Sequence, residues 1–437
     1  MNLDDIKTID AQYVLHTYKR ADVAFKKGKN ATLYDEAGKD YIDFGAGIGV
    51  VSVGHGNKAL AKAINKAAKR LIHTSNLYHI APQARLAKKI IDCYTKDSRS
   101  NTKYRVFFSN SGAEANECAI KIARKFGNPS GRYKIITLDS SFHGRTIASL
   151  KATGQDKMHQ HFGPYPDGFV YAKDIKDIAN VLDSQTCAVL LELVQGEGGI
   201  EQMDKAQVIE LAQLLKSKNI LLMVDEVQSG IYRSGEIFAS KVYGIEPDVI
   251  TMAKGLAGGV PIGACMTSRV DIFAPSEHGT TFGGNFLSTS AGLKAIKILE
   301  KAYNSGKLKR TIMYFNAKLD SILKKYPTLF IHKTGLGLMC GLKAKSEQVQ
   351  QDVLQACFTQ RLLVLRSGKG VVRFLPPLLI SKREIDEGFR RFQKALKSIK
   401  TKNQTPKTTN APASLASSAK PKSRTNAKPK KPRTTTI

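Results

Sequence analysis

Four short stretches of this sequence put polar or glycine residues directly after an apolar run of strand length. In open α/β sheets ligands bind there, outside the carboxyl ends of the strands. The first is Phe107-Phe108-Ser109-Asn110-Ser111-Gly112-Ala113-Glu114-Ala115-Asn116. It reads as strand, glycine turn and helix start. The N–H groups around Gly112 and Ala113 are then free at a helix N-terminus, whose dipole favours an anion such as phosphate. An ordinary turn capped by Ser111 accounts for the same residues. The second, Leu222-Met223-Val224-Asp225-Glu226-Val227-Gln228, ends an apolar strand on an aspartate. A buried carboxylate is costly without a cationic or hydrogen-bonding partner, and a protonated pyridine nitrogen would supply one. A metal-binding aspartate or a plain helix cap are the alternatives. The chain has no G-x-x-x-x-G-K-[ST] loop, so a nucleotide-binding P-loop is excluded.

The third stretch is Val249-Ile250-Thr251-Met252-Ala253-Lys254-Gly255-Leu256-Ala257-Gly258-Gly259. A partly desolvated lysine has the lowered pKa that Schiff-base chemistry requires, although most lysines are solvated surface residues. The fourth, Ser141-Phe142-His143-Gly144-Arg145-Thr146, offers an aromatic ring to stack on a planar ligand and a guanidinium to grip a carboxylate. A core phenylalanine beside a surface arginine would look the same. His143 has no His or Cys at metal-ligand spacing, so a ring contact or a satisfied loop histidine is expected and no metal is assigned.

These residues need a frame. Apolar, β-rich runs at residues 104–109, 133–138, 187–193, 220–225 and 248–252 alternate with helical segments, among them residues 113–126 and 205–218. Strands apolar throughout and separated by helices predict a mostly parallel sheet covered on both faces. An amphipathic helix is predicted over residues 383–399. Beyond it, residues 401–437 carry nine Lys/Arg, no acid and few large apolar side chains, a composition read as a basic disordered tail.

The net charge of +31 is therefore partly the tail's: removing nine leaves 31 − 9 = +22 for residues 1–400. Such a balance keeps a polyanion-binding protein in view as a reading of a different class. The longest apolar runs are far shorter than the ~20 residues of a membrane helix. The acidic N-terminus lacks the apolar stretch of a secretory signal. Six cysteines stand singly, without metal-ligand spacing, and read as reduced thiols of a cytoplasmic protein.

Taken together, the stretches resemble the class III (subgroup II) aminotransferases of fold type I, and within them the acetylornithine aminotransferases. The matching residues, in order, are Tyr41-Ile42-Asp43-Phe44, Gly54-His55, residues 110–116 and 142–146, and Gln195-Gly196-Glu197-Gly198-Gly199. They continue with residues 225–228, Ala253-Lys254-Gly255-Leu256, residues 278–285 and Arg373-Phe374-Leu375-Pro376-Pro377. The resemblance runs from about residue 13 to 398.

It implies pyridoxal 5′-phosphate as cofactor, in a large domain (residues 61–300) beside a small α+β domain built from both chain ends (1–60 and 301–400). Lys254 would hold the cofactor covalently and shuttle the substrate proton, and Asp225 would pair with the ring nitrogen. Phe142 and His143 would lie by the ring, with Gln228 on its phenolic oxygen. Ser111, Gly112 and Ala113 would cradle the phosphate. The family's site is shared across a homodimer, which places Thr281 on a neighbour's phosphate and Thr280 near the substrate.

Arg145 and Arg373 are the expected carboxylate binders, with Glu197 masking Arg373 when an ω-amino donor enters. The implied reaction moves the ω-amino group of N2-acetylornithine to 2-oxoglutarate, a step of arginine biosynthesis. N-succinyl-diaminopimelate, succinylornithine, ornithine and 4-aminobutyrate are the alternative donors. Ile48 stands where ornithine aminotransferases typically carry Tyr, and its apolar side chain favours an acylated donor. Leu193, Tyr232 and Phe286 depart from the family's usual Pro, Gly and Pro.

Overall fold

The computed structural model describes residues 1–97 and 101–404. Seven strands form its central sheet: β1 (Arg105–Ser109), β2 (Lys134–Leu138), β3 (Phe169–Ala172), β4 (Thr186–Leu191), β5 (Leu221–Asp225), β6 (Val249–Met252) and β7 (Gly263–Thr267). Their order is β1-β7-β6-β5-β4-β2-β3. Within it β7 runs antiparallel to β1 and β6, and every other pairing is parallel. Strands β4 to β7 are buried along their whole length, because helices cover both faces.

The helix Gly112–Gly127 packs on one face of the sheet. It buries Ala115, Cys118, Ala119, Ile122 and Ala123, the i, i+3, i+4, i+7, i+8 pattern of a core-facing stripe. On the opposite face the helix Lys205–Ser217 buries Val208, Leu211 and Leu215. Each of the five expected strands is present, with shifts at the ends. Tyr104 stays outside β1 and packs edge-on against Tyr94, ring centroids 5.4 Å apart. The run expected to reach residue 193 leaves the sheet at Leu191, and Val194–Gln195 pairs instead with Glu201–Gln202. Glu192 sits at that break.

Two smaller sheets flank this core. In one, Phe25–Lys29, Thr32–Asp35 and Asp40–Asp43 form an antiparallel meander, and Leu362–Leu363 adds in parallel beside Asp40–Asp43, so both ends of the chain meet. The other is antiparallel, in the order Phe330–Leu336, Met339–Ala344, Val371–Phe374, Leu365–Ser367, and it carries Arg373. A cluster of phenylalanines joins these parts. Phe44 and Phe374 pack on Phe315, and Phe389 and Phe392 of the last helix close the cluster, with neighbouring centroids 5.1–6.4 Å apart. Gly388 is pressed against the Phe44 ring, where a Cβ would collide. The last helix spans Lys382–Gln404, five residues beyond the expected end, so it enters the segment read as tail. The rest of that segment, residues 405–437, lies outside the described residues.

Candidate active site

The carboxyl ends of β1, β2, β4, β5 and β6 converge on a cavity of about 420 Å³. Its wall includes Ser111, Gly112, Ala113, Phe142, His143, Arg145, Asp225, Gln228 and Lys254, so nine of the residues singled out in sequence share one site.

Asp225 ends β5 and is 5% exposed. Its Oδ2 accepts from Nδ2 of Asn116 at 2.7 Å and lies 2.8 Å from Nδ1 of His143, while Oδ1 accepts from the backbone N–H of Val227 at 3.0 Å. Asn116 is itself fixed, donating to the His143 carbonyl at 2.6 Å and accepting from Oγ1 of Thr251 at 2.7 Å. The carboxylate is thus oriented by three donors, the condition under which a buried charge persists. The adjacent Glu226 turns the other way, as strand alternation requires, and caps the backbone of Ala239 and Ser240.

Lys254 follows β6 with φ of 37°, a left-handed conformation unusual for a non-glycine residue and of the kind found at functional sites. Its Nζ has no hydrogen-bond or ion-pair partner among the described residues. Protein packed around all but its cavity-facing side pushes its pKa down, and the negative charges of Asp225 and Glu192 oppose that shift. A lysine so placed carries more of the neutral, nucleophilic amine near neutral pH than a solvated one.

At the third corner, Ser111 caps the helix Gly112–Gly127. Its Oγ accepts from the N–H of Glu114 at 3.2 Å, and Oε2 of Glu114 accepts from the N–H of Ser111 at 3.1 Å. Both readings of this turn therefore hold at once. The hydroxyl is committed to the cap, while the N–H groups of Gly112 and Ala113 have no acceptor among the described residues and stand at the positive end of a 16-residue helix.

Arg373 is 4% exposed, beside the cavity. Its Nη1 donates to Oε1 of Glu197 at 2.6 Å, to the Gly196 carbonyl at 3.3 Å and to Oε1 of Gln228 at 3.4 Å. Arg145 is exposed at the cavity wall, its guanidinium 5.6 Å from the centre of the Phe142 ring. Thr280 accepts from Nδ2 of Asn110 at 3.1 Å. Thr281 is exposed and is not among the residues lining its own chain's cavity.

Three participants went unassigned in sequence: Asn110, Asn116 and Glu192. Asn116 is a polar residue on the buried stripe of an apolar helix, which was the readable signal. Glu192 interrupts an apolar run at Leu191-Glu192-Leu193, a similar signal. It is 5% exposed, and burial, with repulsion from Asp225, pushes its pKa up against the opposing pull of His143.

The sequence profile of the aminotransferase class-III family matches residues 13–396. The chain belongs to that family. This aminotransferase is 61% identical over 397 residues to the acetylornithine aminotransferase of Wolinella succinogenes, covering 90% of this chain and 100% of that one. It is 42% identical to the acetylornithine aminotransferase of Methanocaldococcus jannaschii, over 86% and 94% of the two chains. Among solved structures it resembles the ornithine aminotransferase of Toxoplasma gondii with a TM-score of 0.85 at 29% identity, over 92% and 96% of the chains. It also resembles N-acetylornithine aminotransferase from Stenotrophomonas maltophilia, with a TM-score of 0.75 at 30% identity over 90% and 99%.

The fold is type I, and the cofactor is pyridoxal 5′-phosphate, which a second Toxoplasma gondii structure holds in partial occupancy. The residues present fit that group. A lysine without a partner among the described residues, an oriented carboxylate and two backbone N–H groups likewise without acceptors at a helix start face one cavity, and each suits a different part of the molecule. No helix among the described residues is long and apolar enough to cross a membrane.

Proposed function

We propose that this aminotransferase moves the ω-amino group of N2-acetylornithine to 2-oxoglutarate, giving N-acetylglutamate 5-semialdehyde and glutamate, a step of arginine biosynthesis. The observation that carries the reading is the Arg373–Glu197 ion pair on the same site as an open arginine, Arg145. A donor with one carboxylate needs one guanidinium and is best served if the second is covered. Glutamate and 2-oxoglutarate need both. The 61% identity to the Wolinella succinogenes acetylornithine aminotransferase supports the acylated donor, as does apolar Ile48 in the turn before Val50 of the cavity wall.

When bound, pyridoxal 5′-phosphate withdraws electrons from the carbon that bears the substrate nitrogen. Lys254 would hold the cofactor and, once freed by the donor amine, would move the proton from that carbon to the cofactor's aldehyde carbon. Asp225, held by Asn116 and His143, keeps a proton on the ring nitrogen. Phe142 covers a ring face and Gln228 meets the phenolic oxygen. Gly112 and Ala113 bind the phosphate through their N–H groups, with Ser111 beside them.

The working unit is a homodimer. Leu71, Ile72, Leu77, Tyr78 and Phe282 are exposed large apolar side chains. Asn76 ties their two segments together by donating to the carbonyls of Thr280 (3.0 Å) and Gly283 (2.9 Å). A second copy covering this apolar face would receive Thr281 at its phosphate. All six cysteines are unpaired and buried, which suits the cytoplasm. Weak, non-specific polyanion contact through the basic end is a further expected property. It should fall with salt and disappear when residues 401–437 are removed.

An absorption titration tests the reaction. A visible band that bleaches with N-acetylornithine and returns with 2-oxoglutarate is expected. Bleaching by ornithine, succinylornithine, N-succinyl-diaminopimelate or 4-aminobutyrate in its place would overturn the donor, and no band with added cofactor would overturn the reading.

A further inference from the structure

Glu192 is a buried carboxylate at the point where the chain leaves the central sheet after β4. Its two oxygens accept from two different loops. Oε2 takes the backbone N–H of Phe142 at 3.0 Å, and Oε1 takes that of Gly196, also at 3.0 Å. Each loop leads to one arginine. Phe142 begins the turn that carries Arg145, whose guanidinium rests over the Phe142 ring. The carbonyl of Gly196 accepts from Arg373, and the next residue, Glu197, is the ion-pair partner of Arg373. Ser367, on the strand beside that of Arg373, donates to the Gly196 carbonyl at 2.8 Å, so the second loop is anchored to the arginine's own sheet.

We propose that Glu192 is a positioning residue that sets the spacing between Arg145 and Arg373, and so the length of dicarboxylate the site accepts. The proposal rests on the two-arginine reading of the function. A carboxylate suits the role, since both oxygens must accept and the chain must reach both loops at once. Glutamine offers one acceptor and one N–H₂ group, which would face a backbone donor, so one loop must let go. Aspartate keeps the charge but is one methylene too short to span the pair.

The test is binding to the holoenzyme, measured by calorimetry with glutarate, which needs both arginines, and butyrate, which needs one. Wild type is expected to prefer glutarate. In Glu192→Gln, glutarate should weaken by about tenfold, equivalent to about 1.4 kcal/mol, while butyrate stays within about twofold. Glu192→Asp should show the same split and serves if the glutamine variant fails to fold, which a melting curve reports. Equal weakening of both ligands, or no weakening of either, would overturn the positioning role and leave the two-arginine reading intact. A wild type with no preference for glutarate would overturn that reading and the role together.

Discussion

Nη1 of Arg373 lies 2.6 Å from Oε1 of Glu197, so the better buried of the two arginines is already paired within its own chain. The glutamate is about one-third exposed and the arginine 4%, which makes Glu197 the partner free to move. Glu197→Gln should leave Arg373 open to any α-carboxylate. The expected outcome is loss of discrimination, with kcat/KM for N-acetylornithine relative to an α-amino donor such as alanine falling by about tenfold. Half-reaction kinetics on the two donors measure it, and an unchanged ratio would remove Glu197 from substrate selection.

Lys254 and Asp225 should fail differently. Lys254→Ala should reduce turnover by about 10²–10⁴-fold or more, the span removed with a general acid–base, while reversible binding of the cofactor persists. Asp225→Ala should also weaken cofactor retention, because Asn116 and His143 are left facing an empty position. Equilibrium dialysis separates the two. The lowered pKa of Lys254 adds a pH signature. Covalent loading of the apoprotein should rise with pH around a midpoint below the ordinary lysine value. Glu192→Gln should move that midpoint lower still, since it removes a negative charge that favours the ammonium.

The acid limit of stability should show at Glu387. Bidentate hydrogen bonding by Arg390, helped by Arg391, holds its carboxyl down to about 2 against burial. The folded pKa lies below the unfolded one, so the stabilisation is complete above the ordinary value of 4.5 and is lost as pH falls toward about 2. Glu387→Gln should lower Tm at pH 7, and the gap from wild type should close across that window. A gap that stayed constant down to pH 2 would show that the charge is not what stabilises.

Tyr232 occupies a position where the family usually has glycine, and its φ of 66° explains the preference. Left-handed backbone costs a non-glycine residue about 1–2 kcal/mol. The ring repays it: Tyr232 is 3% exposed and lies 5.3 Å from the ring of Tyr303. Emptying a buried aromatic site costs about 3–5 kcal/mol. Tyr232→Gly is therefore expected to destabilise despite relaxing the backbone, as denaturant unfolding would report.

Much of this was legible in the sequence, for identifiable reasons. Strands β4 to β6 are apolar on both faces, and Lys254 and Asp225 stand at strand ends, where a polar residue is conspicuous. The departure at Phe286 also resolves simply. It is the first residue of the helix Phe286–Asn304, a position that favours proline without requiring it. The strand Phe25–Lys29 was not legible, because Phe25-Lys26-Lys27-Gly28-Lys29 is mostly exposed and has no apolar alternation. Asn116 and Glu192 were missed because their roles depend on partners 109 and 50 residues away in the chain.

The N–H groups proposed to hold the phosphate, those of Gly112 and Ala113, belong to the main chain. Replacing a side chain there does not delete an N–H group, save where the newcomer is proline, so the proposed binding function is stored in the backbone path. Ala113 can change without loss of that N–H, but at Gly112 the path also fixes the residue, because a Cβ there would come within 2.8 Å of Cγ1 of Val227. The side-chain contacts of Lys254 and Asp225 have no such freedom. Divergence within one cavity should accordingly fall at Ala113 before it reaches Gly112, Lys254 or Asp225.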